Sequence, residues 1–199
     1  MLYDLYMGNV KQKQAKKRNE IMEKILPLLG DVPFEELSMK EICEVADISI
    51  GSFYHYFTRK EDLFVALLNI IDEYMESEAF PKMKKKDEIE NIKIFAQTWL
   101  KYIQTHGLER SKLISAAPVT DFTNEGQPRS SFTKLEAHIK AGQEKGQIRT
   151  DMSSAELTEM FFIFIRGLGV DWTRRNASYD LQVKGIKYFE TIIDTLKKK

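Results

Sequence analysis

The sequence predicts an all-helical protein of about nine helices, with a small three-helix N-terminal domain and a larger C-terminal helical domain. Three observations carry that expectation. Only five prolines and ten glycines punctuate 199 residues rich in Lys, Glu, Leu, Ile and Met, a composition that suits helices. Apolar residues recur at three- and four-residue steps, whereas no segment makes a convincing strand and no repeat is present. Three strings, Ser38 to Glu41, Thr58 to Glu61 and Ser153 to Glu156, fit the capping box, in which a hydroxyl and a carboxylate satisfy each other's orphan amides.

Taken in order, Met1 to Met7 read as an N-terminal arm. A first helix follows from about Val10 to Leu29, its buried stripe marked by Ile21, Ile25, Leu28 and Leu29 beside Met22 and Leu26. Pro27 should bend its last turn, and Gly30, Asp31 and Pro33 should close it. The first two capping strings frame a short helix from Ser38 to Ala46, a tight turn at Asp47 and Ile48, and a second short helix from Ser49 to Tyr56. A long helix then runs from Arg59 to about Glu78. Pro81 and the stretch Lys82 to Lys86 form a solvated basic connector. Asp87 to His106 is helical, with Ile92, Phe95, Ala96, Trp99, Leu100 and Ile103 inward, and Leu108 to Ala117 is a shorter helix ended by Pro118. Val119 to Arg129, with Asn124, Gly126 and Pro128, reads as an exposed loop. Helix resumes to Lys145, where Gly146 supplies a left-handed C-cap. The last two helices span roughly Ser154 to Arg175 and Tyr179 to Lys197.

Composition narrows function mainly by exclusion. Thirty basic and thirty acidic residues leave no net charge, so a nucleic-acid footprint must come from sorting charges onto one face. Cys43 is the only cysteine; no intrachain disulfide and no thiolate zinc site is open to the chain, and Cys43 reads as a small buried hydrophobe. His106 and His138 lack a second ligand at helical spacing, so no metal is expected. The N-terminus does not resemble a signal peptide, and the most apolar run, Met160 to Ile165, stops at Arg166. A cytoplasmic protein with no membrane partner is expected. A Gly-rich phosphate loop, a nucleophile elbow and a His-Glu-x-x-His string are all missing from the sequence, and no carboxylate pair stands out. Neither enzymatic turnover nor a cofactor is expected.

The informative stretch is Leu37 to Phe57. Its pattern is that of two short helices crossing steeply through a three- or four-residue turn. Ile42, Val45 and Ala46 should form the inner face of the first, Ile48 should plug the turn, and Phe53 and Phe57 should fasten the second. Ser49, Ser52 and Tyr56 then share another face, flanked by Gly51 and His55, a surface suited to close approach to sugar-phosphate and base edges. Lys40, Arg59 and Lys60 stand at neighbouring helix starts, where they can clamp phosphates.

The string Ile48-Ser-Ile-Gly-Ser-Phe-Tyr-His-Tyr-Phe57, followed by Lys60-Glu-Asp-Leu63, resembles the signature of TetR-family transcriptional regulators, and the likeness extends over about Ile21 to Phe64. The resemblance implies that Lys40, Ser49, Ile50, Gly51, Ser52, Tyr54, His55 and Tyr56 face double-stranded operator DNA and that Lys60 contacts a phosphate. Asp47 departs from the family's usual glycine, though Asp tolerates the left-handed region; Pro33 replaces another glycine, and Arg59, in place of Ser or Asn, adds a phosphate contact. The expected division is a helix-turn-helix domain over 1–57, with the linking helix starting by about 64, and an effector-binding and dimerisation domain over 65–199. Gly146-Gln-Ile-Arg-Thr-Asp151 resembles the join before the family's dimerisation helices. The family's logic implies a homodimer joined through the last two helices, with Phe162, Arg166, Gly167, Gly169, Val170, Tyr188 and Ile192 at the interface. It also implies an unidentified small-molecule effector amid Phe95, Trp99, Tyr102, Phe161 and Phe164. An alternative is a DNA-bound adaptor whose C-terminal domain takes a protein instead of a small ligand.

Overall fold

The computed structural model describes residues 2–31, 34–116, 123–124 and 127–197. Pro33, Ala117, Pro118, Val119 and Gly126, expected above to end helices or form a loop, lie outside them. The described residues are helical almost throughout: α1 (Leu2–Asp31), a 3₁₀ turn (Phe34–Glu36), α2 (Met39–Ala46), α3 (Ile50–Tyr56), α4 (Asp62–Glu78), α5 (Glu88–Ala116), α6 (Ser130–Glu144), α7 (Ser154–Arg174) and α8 (Leu181–Leu196). One small addition to the all-helical expectation falls in the predicted loop, where Thr123–Asn124 and Gln127–Pro128 pair antiparallel over two residues each.

Two of the three capping boxes form as expected. Ser38 Oγ accepts from Glu41 N at 3.2 Å while Glu41 returns a carboxylate to Ser38 N at 2.8 Å. Ser153 and Glu156 repeat those distances at the head of α7. The third does not form. Asp62 Oδ2 accepts from both Thr58 N (2.7 Å) and Arg59 N (3.0 Å), so the orphan amides are met by a carboxylate one residue beyond Glu61 and α4 begins at Asp62. The expected N-terminal arm is also corrected: α1 already runs from Leu2, through a stretch without proline in which helix propagates once nucleated. Within α5, Gly107 (φ 85°, ψ 175°) breaks the helix where the sequence places a boundary, and Gly146 is left-handed (φ 68°) after α6.

The chain divides into two compact units, 1–70 and 71–199, the division falling within α4. In the first, Ile21, Met22 and Ile25 of α1 are buried with Ile42, Cys43 and Ala46 of α2, Phe53 of α3 and Phe57. Val45, expected inward, is exposed, and Cys43 takes the inner position; burial pushes its thiol pKa up. Lys24 Nζ donates to Ala46 O at 3.0 Å, placing a cation at the C-terminus of α2, where carbonyls lack helical partners.

In the second unit α5 packs on α6, α7 and α8, and α6 packs on α7. Its interior is aromatic and aliphatic: Phe95, Leu100, Ile139, Phe161, Ile165 and Phe189 are all buried. Gly185 allows α8 to approach α5, since a Cβ there would lie 2.8 Å from Leu100 Cδ1. One carboxylate is drawn into this core. Glu88 is hydrogen-bonded by Lys145 Nζ (2.5 Å), His138 Nδ1 (2.7 Å) and Asn91 Nδ2 (2.7 Å), which ties the first turn of α5 to α6.

Candidate nucleic-acid interface

The recognition segment is built from a turn that only a few residue types accept. Asp47 adopts the left-handed region (φ 56°, ψ 52°), and its N–H closes α2 on Cys43 O and Glu44 O. Ser49 then caps α3, its Oγ accepting from Ser52 N at 3.0 Å and lying 2.9 Å from Ser52 Oγ. The next turns are fixed by two aromatic anchors. Phe53 and Phe57 are fully buried with ring centroids 4.9 Å apart, and Arg18 of α1 lies over the Phe57 ring at 5.4 Å.

With those anchors inward, the opposite side of α3 is open. Ser49, Gly51, Ser52 and His55 are exposed, Ile50 and Tyr54 are 49% and 54% exposed, and Tyr56 is half-buried with its ring 4.9 Å from that of His55. A Cβ on Gly51 would meet only Ser49 Oγ, at 3.9 Å, so the helix surface there is bare backbone. Exposed Ile50 and Tyr54 are apolar groups that a monomeric core would have no use for.

The three flanking cations differ. Lys40 is solvated, 3.7 Å from Glu44, and Arg59 is solvated with a 3.6 Å contact to Asp62. Lys60 is half-buried: its Nζ donates to Leu37 O at 2.7 Å and stands 4.4 Å from the centroid of Phe34. Its ammonium therefore staples the start of α4 to the segment before α2, a role the sequence did not announce.

In the C-terminal unit, four of the five residues expected around an effector are buried and Phe164 is half-buried; ring contacts join Phe95, Trp99, Phe161 and, through Phe189, Phe164. Phe95 stacks on Trp99 (5.7 Å) and meets Phe161 edge-on (5.6 Å). Tyr102 belongs to a separate group, stacked on His106 at 4.1 Å, near Tyr74 at 5.0 Å, with its hydroxyl accepting from Arg110 at 3.0 Å. Phe164 lies 6.2 Å from Phe189. Of the residues expected at a dimer interface, Phe162 and Gly169 are buried within the unit, Arg166, Val170 and Ile192 are half-buried, and Gly167 and Tyr188 are exposed. Gly169 gives room to Ile103 of the same chain (3.5 Å), whereas Gly167 faces open space. Ile163 and Val183, which sequence reasoning passed over, are the strongly exposed apolar residues here, at 56% and 69%. The signal was present: Met160 to Ile165 is apolar on every side of its helix, more than one core needs. Among the described residues no group of three His, Cys, Asp or Glu could hold a metal ion, and no helix is long and apolar enough to cross a membrane.

Residues 21–67 match the family model described as bacterial regulatory proteins, tetR family. This span contains α2, α3, both anchors and the start of α4. Among curated proteins, none matches the sequence. Solved structures similar over most of the chain include the fatty acid degradation regulator FadR from Bacillus halodurans, at 16% identity and a TM-score of 0.72, with 87% of this chain and 96% of that one covered. The transcriptional regulator FadR from Bacillus subtilis, solved in complex with stearoyl-CoA, follows at 14% identity and 0.69, covering 88% and 95%. NalD of Pseudomonas aeruginosa, the secondary repressor of the MexAB-OprM multidrug efflux pump, is similar at 16% and 0.65, covering 94% and 99%. These likenesses establish the shared helical fold. The helix-turn-helix segment lies inside the span that matches the model of bacterial regulatory proteins, tetR family, and the chain as a whole shares the helical fold of the regulators named.

Proposed function

We propose that the protein is a homodimeric repressor, released from its operator when a small molecule binds the C-terminal unit. The observation that carries the reading is the open face of α3, held outward by the fully buried Phe53 and Phe57. On this reading Ser49, Ile50, Gly51, Ser52, Tyr54, His55 and Tyr56 enter a major groove, and Lys40 and Arg59 contact phosphates on either side. Lys60, already bonded to Leu37 O, serves by holding the segment in shape while its remaining donors stay available to a phosphate.

Dimerisation through α7 and α8 is supported by exposed Ile163, Val183 and Tyr188 and by the open surface at Gly167, an apolar set that a second copy would cover. Two recognition helices about 34–36 Å apart would then meet successive major grooves of B-DNA. An effector among the aromatic side chains of the C-terminal unit would alter that spacing through α4. Support for a ligand comes from the stearoyl-CoA bound to the Bacillus subtilis regulator, and support for repression from the description of NalD; both are properties of those proteins. The adaptor reading draws on the same exposed Ile163 and Val183, offered to a protein partner.

The test combines light scattering with a mobility-shift titration on DNA flanking the gene. A dimer whose operator affinity falls at least tenfold in Tyr56→Ala, with melting unchanged, is expected. Unchanged affinity would remove the docking described, and a monomer that still binds DNA would favour the adaptor.

A further inference from the structure

At the start of α6 the C-terminal unit holds a charged group that the reading above leaves unused. Arg129 grips Asp72 of α4 with both arms of its guanidinium, Nε to Oδ2 at 3.0 Å and Nη2 to Oδ1 at 2.9 Å. Ser131 Oγ donates to the same carboxylate at 2.5 Å. Only 10% of the Arg129 side chain and 11% of the Asp72 side chain are exposed. A second guanidinium lies close by. Arg166 of α7, expected from sequence at a dimer interface, is half-buried with its Nε donating to Phe162 O at 3.1 Å. Burial, and then the positive charge of Arg129, hold its pKa below the usual arginine value, with Glu159 acting in the opposite direction. Phe162 stacks on Phe132 at 5.8 Å, one residue beyond Ser131, so an aromatic wall adjoins the two cations.

As scaffolding this arrangement is expensive. A buried ion pair recovers little beyond its own desolvation, and a neighbouring like charge adds to the cost. Its chemistry suits an anion, because planar guanidinium groups match a carboxylate or phosphate through paired hydrogen bonds. Resting on the effector reading given above, we infer that the effector carries a carboxylate or phosphate group that Arg166 and Arg129 take up, displacing Asp72 from Arg129, with its apolar body against Phe132 and Phe162. Ser131 keeps a hydrogen bond on Asp72 through the exchange, so the displaced carboxylate is not stranded. Asp72 belongs to α4, the helix whose first half lies in the DNA-reading unit. Competition for one guanidinium is thereby felt on that helix.

Calorimetric titration of the full-length protein with three probes of one tail, octanoate, octyl phosphate and octanamide, tests this. One or both anions should bind at least tenfold more tightly than the amide, and the tighter of the two names the head group. Arg166→Met should bring anion and amide within about threefold of each other. Asp72→Asn, nearly identical in shape, should bind the preferred anion about tenfold more tightly, because the internal competitor is gone. A merely structural Asp72 would do the opposite, so this variant carries the test alone if Arg166→Met does not melt cooperatively. Equal or weaker anion binding in Asp72→Asn overturns the exchange. An amide that binds as well as the anions overturns the charge requirement and leaves the effector reading standing. Failure of all three probes to bind overturns the inference, and the effector reading is then judged separately, by operator release with other compounds.

Discussion

The two units put their chemistry in opposite places. The N-terminal unit keeps an apolar interior and presents an open, hydroxyl-bearing side of α3 outward, whereas the C-terminal unit draws charges inward, Glu88 under α6 and Asp72 against Arg129. An outward surface on a short helix is fixed by local spacing and one cap. An inward polar group is fixed by whichever helices close over it. The first kind of site is legible along a chain, and the second becomes legible only when residues 57 positions apart, such as Asp72 and Arg129, are brought together.

The largest expected effect sets one anchor against another. Phe53→Ala should cost roughly 3–5 kcal/mol, because a fully buried ring leaves a cavity that its neighbours only partly fill. Phe95→Ala should cost about as much in the other unit. Both tryptophans, Trp99 and Trp172, belong to the C-terminal unit and are buried there. Fluorescence melting should therefore move strongly in Phe95→Ala and little in Phe53→Ala, while Phe53→Ala loses part of the helical circular dichroism at lower temperature. A tryptophan transition displaced equally by both variants would break the contrast between the units.

That contrast follows what could be read in advance. The left-handed Asp47, the paired Phe53 and Phe57, the boundary at Gly107 and the C-cap at Gly146 all depend on neighbours within about four positions, and the structure bears each out. The outward place of Val45 is not legible, because α2 has only eight residues, and beside Ile42 and Ala46 so short a helix leaves its periodicity open to either 43 or 45 as the third inner position. Thr58 was misjudged because Asp62 offered a competing carboxylate. Lys60 looked like a free cation because the carbonyl it meets lies 23 residues upstream. In the C-terminal unit the aromatic residues were identified as a set, but which of them group together depends on the packing of α5 against α7 and α8, and one-dimensional spacing does not encode it.

The next effect is pH-dependent and sharpens the inward side of the comparison. Burial alone would raise the Glu88 pKa, but hydrogen bonds from Lys145, Asn91 and His138 outweigh it and hold the group below its ordinary value of 4.5. A depressed folded-state pKa means that the charged form stabilises the fold above the unfolded value and that this contribution is lost as pH falls through the folded one. Glu88→Gln should therefore cost about 1–3 kcal/mol at neutral pH, and the gap to wild type should close as pH drops below about 4.5. A gap that stays constant into acid would mean that the carboxamide shape, and not the charge, matters at this position.

Two lysines of the N-terminal unit divide outward from inward duty at smaller cost. Lys60→Met removes a charged hydrogen bond to Leu37 O and a cation over Phe34, together about 1–2 kcal/mol of stability. Lys40, with a side chain 79% exposed, should leave stability alone when changed to Met. It should instead reduce the salt slope of operator binding by about one. Denaturant melts and mobility shifts at several salt concentrations separate the two. If Lys60→Met lowers only the salt slope and leaves the melt in place, its ammonium belongs with the outward groups after all.

The smallest effects come from the caps, where the units should behave alike. Ser38→Ala and Ser153→Ala each remove a hydroxyl that accepts from the amide of a Glu three residues on, at about 1 kcal/mol each. Thr58→Ala has the same sequence context but should change stability by less than about 0.5 kcal/mol, since the amides of Thr58 and Arg59 are met by Asp62. Asp62→Ala should then cost what the two serines do. A melt in which Thr58→Ala is as damaging as Ser38→Ala would return the capping role to the threonine, and the start of α4 would have to be redrawn three residues earlier.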